Sequence, residues 1–114
     1  MAMNLNLKEH IVRTVVVAPT ERIDAFSAPG LRAALDQQLA DGAKRFVLDL
    51  SNVPFLDSAG MAVLVSLLKR ARERGGDVRL VWPTEEAARR IIKLTKFDRV
   101  FSMADTAEAA LADF

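Results

Sequence analysis

The chain of 114 residues contains no cysteine. Disulfides and thiol chemistry are therefore excluded. One histidine, His10, is present, so a zinc site built from nitrogen and sulfur ligands would have a single donor. No apolar run approaches the ~20 residues that a membrane span needs. The first ten residues lack a basic start followed by an apolar stretch, so no signal peptide is expected. An excess of either charge is missing as well. Sixteen Lys and Arg oppose 15 Asp and Glu, for a net charge of +1. Such a balance supplies no global field to draw nucleic acid or a membrane surface. Internal repeats and low-complexity segments are absent too. A cytoplasmic, soluble protein is the expectation.

What is present is ordinary globular composition, 51% hydrophobic and 27% charged. The length suits a single domain, residues 1–114, with a core expected over roughly 11–112. Ile11 to Ala18 is β-branched and stopped by Pro19, which predicts a first strand. Thr20 to Asp24 is read as a short second strand. Ser27 then serves as the N-cap of a helix with Pro29 in its first turn, and Gly42 as its left-handed stop. Phe46 to Leu50 is apolar but for Asp49, the pattern of a central strand covered on both faces. A second helix runs from Ser58 to the Gly75-Gly76 pair, followed by a strand over Val78 to Trp82. Thr84 caps a third helix, with Glu85 and Glu86 pairing at i,i+4 to Arg89 and Arg90. Val100-Phe101 reads as a last short strand, and Asp105 with Glu108 as the start of a terminal helix. Strands alternating with helices imply an α/β domain, with a four- or five-stranded mixed sheet and about four helices packed against it.

The stretch Asp57-Ser58-Ala59-Gly60 joins the apolar strand to the second helix. A helix start carries free N–H groups and the positive end of the dipole. It suits a capping side chain and a phosphate equally. Chemistry alone leaves Ser58 balanced between an N-cap, a task Asp57 can also perform, and a phosphoacceptor. In projection at ~100° per residue, Met61, Leu64, Leu67, Leu68 and Ala71 share one arc, which must face the core. Ser58, Ala59, Ala62, Ser66 and Lys69 share the other. The start of that outer face is small and smooth, where a solvated face would carry Lys and Glu. Either alanine is present as a good helix former, or a partner surface lies close against this turn. The second reading is preferred because Ser58 shares the face.

Catalytic readings fail on specific grounds. A nucleophile elbow needs glycine on both sides of the serine, and Leu56 stands where the first would be. His10 precedes the serine and reads as a surface histidine. A phosphoacceptor role for Asp49 or Asp57 of the response-regulator kind needs further carboxylates for Mg²⁺, yet Ala18-Pro19-Thr20 follows the first strand. Arg70, Arg72, Arg74 and Arg79 lack interleaved aromatics and read as a solvated helix end rather than a nucleic-acid surface. No glycine-rich phosphate loop is present. The chain is therefore expected not to be an enzyme and to need no cofactor or metal.

The chain as a whole resembles the STAS domain, and within that family the bacterial anti-sigma factor antagonists. The resemblance is carried by Arg22-Ile23-Asp24-Ala25, by Val47-Leu48-Asp49-Leu50-Ser51 and above all by Phe55-Leu56-Asp57-Ser58-Ala59-Gly60-Met61. Leu94-Thr95 with Phe97-Asp98 and Val100-Phe101 extend it towards the C-terminus. It implies a partner switch. An anti-sigma factor with serine kinase activity phosphorylates the antagonist at the position of Ser58. The unphosphorylated form binds that factor and frees a sigma factor, and a PP2C-type phosphatase resets the cycle. Asp24, Asp57, Ser58, Ala59, Gly60, Ala62 and Ser66 are the expected partner-binding residues, in a monomer or weak dimer. Departures are Ala59 for a second serine, and Glu21 and Lys96 for frequent glycines. The alternative within the family is a STAS subunit of a lipid-transport ATPase or a stress-signalling complex, acting as a scaffold.

Overall fold

The computed structural model describes residues 3–9 and 11–114. Met1, Ala2 and His10, with the surface role expected of that histidine, lie outside them. Strand β1 (Thr14–Val17) is followed by helix α1 (Ala28–Ala40), β2 (Arg45–Asp49), α2 (Ser58–Glu73), β3 (Asp77–Val81), α3 (Glu86–Leu94), a 3₁₀ turn (Phe97–Arg99), β4 (Ser102–Ala104) and α4 (Ala107–Ala112). The four strands form one sheet in the order β1-β2-β3-β4, and each neighbouring pair is parallel. A right-handed crossover that always steps the same way must leave its helix on the same face. Accordingly α1, α2 and α3 cover one face, where Phe46 and Leu48 of β2 meet Leu35, Leu64 and Ile92. The intervening Val47 points to the other face, against Ala110 of α4. Apolar residues on consecutive positions of β2 are thus explained by cover on both sides.

No antiparallel strand occurs among the described residues, and Thr20–Asp24 is not a strand. It contributes one parallel bridge, Ile23 to Leu56. Ile23 is buried, its N–H bonds to the Phe55 carbonyl, and its own carbonyl accepts from the Asp57 N–H. These bonds draw the segment across the C-terminal end of the sheet instead of back along β1. The last strand begins later than Val100-Phe101. Those residues close the 3₁₀ turn, where the Phe97 carbonyl accepts from both N–H groups. Thr84 does not cap α3; its hydroxyl donates to the Ser51 carbonyl at 2.7 Å and Glu85 occupies the cap position. Arg89 does not pair with Glu85 but lies over the Trp82 ring at 4.9 Å and donates to the Pro83 carbonyl. The cap of α4 is Thr106, which accepts from the Ala109 N–H at 3.1 Å, in place of Asp105.

On α2 the buried residues are Gly60, Met61, Val63, Leu64, Leu67, Leu68 and Ala71. The predicted inner arc is present, joined by Val63. Arg70 of α2 forms an ion pair with Asp36 of α1, fixing the two helices side by side. Gly42 (φ 96°) and Gly75 (φ 80°) stop α1 and α2 in the left-handed region that favours glycine. Lys96 adopts φ 60°, which costs an L-residue roughly 1–2 kcal/mol. Lys96→Gly is expected to be stabilising by about 0.5–1 kcal/mol, the relief of strain exceeding the added chain entropy. Thermal unfolding monitored by circular dichroism would show a raised Tm.

Candidate functional site

The parallel sheet gathers its connecting loops at the C-terminal ends of the strands, the end where open α/β sheets place their sites. There the segment after β1 lies against the start of α2. Asp57 caps that helix: its Oδ1 accepts from the Gly60 N–H at 3.0 Å. Its second oxygen, Oδ2, accepts from the Ala25 N–H at 3.1 Å. One carboxylate therefore closes the helix and ties down the loop. Ser58 is consequently the first helical residue rather than the cap. It is exposed, and among the described residues its hydroxyl makes no intrachain hydrogen bond.

Asp24 organises the loop from within. Its Oδ1 accepts from the Phe26 N–H at 3.0 Å and the Ser27 N–H at 3.1 Å. Ser27 Oγ accepts from the Asp24 N–H and donates to the Arg22 carbonyl. Ser27 thus stands at the start of α1 as expected, but its side chain braces the loop and does not cap the helix. The Ser27 N–H above all, with the Phe26 N–H, the Ser27 hydroxyl and the Arg22 guanidinium, holds the Asp24 carboxyl below the ordinary carboxylate range, against a smaller opposing effect of burial. A depressed pKa in the folded state stabilises the loop at pH values where the carboxylate is ionised. That contribution is lost as pH falls through the depressed value.

Gly60 of the sequence motif is buried. A Cβ there would stand 2.5 Å from both the Ile23 carbonyl oxygen and Ile23 Cγ2. The glycine exists so that the loop backbone can approach the helix. It is a packing residue, not a contact surface. Ala59 is half-buried and packs on the core, and Ser66 is half-buried, with its carbonyl accepting from Arg70 Nε. Of the expected partner-binding residues, Asp24, Asp57 and Ser58 come together, and Ala62 lies exposed one turn beyond Ser58. A shallow apolar depression on each side of Ala62 widens this surface. One is walled by Ala25, Pro29 and Ala59, the other by Met61, Val65, Thr95 and Phe97. Val65 is 40% exposed and the nearby Leu94 74%, so the face is more apolar than the smooth alanine turn alone implied. Sequence reasoning left Val65 off this face and overlooked Phe26, which is 95% exposed on the Asp24 loop. Among the described residues, no group of three or more Asp, Glu or His side chains could hold a metal ion. No helix is long and apolar enough to cross a membrane.

Two substitutions test this construction. Asp57→Ala removes a helix cap and a loop tether together, and is expected to lower stability by about 1–3 kcal/mol, read from urea unfolding midpoints. Gly60→Ala forces the Ile23 backbone away and should cost about 1–3 kcal/mol, despite alanine's better helix propensity. An unchanged midpoint for Gly60→Ala would contradict the close approach described.

The fold has counterparts of known kind. The STAS domain family model matches residues 4–110. The anti-sigma-B factor antagonist of Bacillus subtilis is 31% identical over 94 residues, covering 82% of this chain and 81% of the relative. The crystal structure of an anti-sigma factor antagonist from Mycobacterium paratuberculosis is 32% identical, with a TM-score of 0.78 over 93% of this chain and 88% of that one. The anti-sigma factor antagonist SpoIIAA in its unphosphorylated form shares the fold at 20% identity, with a TM-score of 0.69 and 92% of each chain covered. A structure of the Bacillus SpoIIAA in the phosphorylated form matches at 19% identity, with a TM-score of 0.67 over 92% of this chain and 95% of that one. The family model spans nearly the whole described chain, and the sheet and helices match those of solved antagonists, so the chain belongs to the STAS domain family.

Proposed function

We propose that this chain is an anti-sigma factor antagonist that binds an anti-sigma factor through the Asp24 loop and the outer face of α2, and that phosphorylation of Ser58 switches the binding off. The observation that carries the reading is the division of labour at the helix start. Asp57 takes the cap, which leaves the Ser58 hydroxyl exposed and uncommitted on the same helix face as Ala62. Relatives with the antagonist role support it. So does the neighbouring fold, solved both unphosphorylated and phosphorylated.

Phosphate on Ser58 adds about −1.5 to −2 charge and three acceptor oxygens. The helix start accommodates it, because the dipole is positive there and the Ser58 and Ala59 N–H groups have no intrahelical acceptor. The fold should therefore survive. Asp57 is adjacent and Asp24 lies across the loop, so the dianion adds to two carboxylates, of which Asp24 already faces Arg22, while Arg32 and Lys69 stand farther out on the same face. A partner fitted against a hydroxyl and alanines meets a bulky dianion in their place. One close like-charge contact costs on the order of 4 kcal/mol at an effective dielectric near 20, and each ~1.4 kcal/mol is tenfold in affinity. Even a screened fraction separates bound from free. The anti-sigma factor would itself be the serine kinase, and a PP2C-type phosphatase would restore the hydroxyl.

Incubation with the kinase and ATP is expected to add a single phosphate, located on Ser58 by mass spectrometry. Calorimetry should then show at least a tenfold loss of affinity for the anti-sigma factor, with the Tm of the phosphorylated protein little changed. Ser58→Ala should bind and resist the switch. Phosphate on another residue, or undiminished affinity after modification, would overturn the reading.

A further inference from the structure

Phe26 is 95% exposed, while the other five phenylalanines and the tryptophan are buried or half-buried. A single exposed apolar side chain is unremarkable on a mobile loop. This one is on a loop that is tightly held. The backbone of residues 24–28 is fixed by the Asp24 carboxylate at Phe26 and Ser27, by the Asp57 carboxylate at Ala25, by Ser27 Oγ at Asp24, and by the Asp24 carbonyl at the Ala28 N–H. The tether at Ala25 comes from the same carboxylate that caps the helix beginning at Ser58. Ala25 in turn walls the depression that reaches Ala59 and Ala62. The phenyl ring is therefore presented by a rigid mount at the border of the proposed binding face. It stands beside Glu21, Arg22 and Asp24 on the loop, and its neighbour in the chain, Ala25, walls the depression that reaches Ala62.

A large aromatic held in advance loses little conformational freedom on burial and fills a partner's pocket efficiently. Those properties mark the few residues that dominate interface energetics. We propose that Phe26 is the apolar anchor of the antagonist surface and inserts into a hydrophobic pocket of the anti-sigma factor beside the segment that receives Ser58. This rests on the antagonist reading above. It adds a residue that the charge switch does not require, and it assigns the partner an apolar pocket next to a polar, phosphate-excluding one. Affinity and switching are then carried by different side chains: Phe26 supplies much of the binding, and Ser58 controls whether the surfaces can close.

The test uses the purified anti-sigma factor serine kinase of the same genome that binds the wild-type chain, with Phe26→Ala, Phe26→Leu and Ala62→Arg compared by calorimetry. Phe26→Ala should keep the wild-type Tm, since the ring is exposed and the loop bonds use main chain and carboxylates. Its affinity should fall tenfold or more, with Phe26→Leu intermediate. In phosphorylation assays its KM should rise in step while kcat stays near wild type. Ala62→Arg tests the face itself and should abolish binding. Affinity of Phe26→Ala within twofold of wild type, with Ala62→Arg inactive, would overturn the anchor and leave the antagonist reading standing. Wild-type affinity in both variants would overturn the reading and the anchor together. A wild-type dimer that Phe26→Ala dissociates in analytical ultracentrifugation, with affinity for the anti-sigma factor unchanged, would also overturn it, by assigning the ring to a second copy of this chain.

Discussion

The Asp57 carboxylate is the contact on which the site depends. A carboxylate has two oxygens, and here each has its own donor: the Gly60 N–H inside α2 and the Ala25 N–H outside it. Charge-assisted bonds of this kind are stronger than neutral ones. The helix start and the loop after β1 are sequence-distant, yet they share one anchor, so neither can move without the other. A serine at the same position could close the helix but would have a single oxygen for both tasks. The residue next to it is thereby released from structural duty, which is what a modifiable side chain needs.

The sheet determines where that anchor can exist. Every described ladder is parallel and the order is sequential, so the ends of β1 and β2 open on the same side and their loops are neighbours. The Ile23 bridge to Leu56 brings the two loops into main-chain contact, and Gly60 gives them room. Leu64, Leu67 and Leu68 hold α2 on the sheet from beneath. The exposed part of its outer face is then free of core packing, which explains how Ala62, Val65 and Lys69 can be chosen for what they present to solvent.

Much of this was legible in the sequence where local and tertiary demands agree. The apolar run of β2, the inner arc of α2 and the glycine stops at Gly42 and Gly75 need only periodicity and backbone sterics. The junction at Asp57-Ser58 was legible as a place but not as an assignment, because either side chain can cap. What decides between them is the Ala25 N–H, 32 residues away in the chain, and no local pattern reports it. The same limit explains other departures. Thr84 has the chemistry of a cap but finds the Ser51 carbonyl instead. Arg89 is spaced to meet Glu85 and lies on Trp82 instead. Ser102–Ala104 has little intrinsic preference for a strand and becomes one because β3 offers a free edge. Phe26 was invisible for a related reason: an aromatic beside a helix start is ordinarily read as covered, and its exposure follows only from how the loop is pinned.

Rigidity also bears on how a phosphate at Ser58 would act. A switch by rearrangement needs a bistable element, and the loop and helix start are tied instead by carboxylate bonds to main-chain donors on both sides. A dianion at the first helical position would repel Asp57, but that side chain is held by two N–H groups and sits at the positive end of the helix dipole. The cheaper outcome is an unchanged backbone with an altered surface. Under the proposed function the switch is then a matter of what the partner meets, not of what this domain becomes. Such a mechanism requires the scaffold to be stiff. In a loose loop, Phe26 and Ser58 would drift independently and a charge at one would be accommodated by movement of the other. The same two carboxylates that build the surface are thus what would make a single phosphate sufficient to close it.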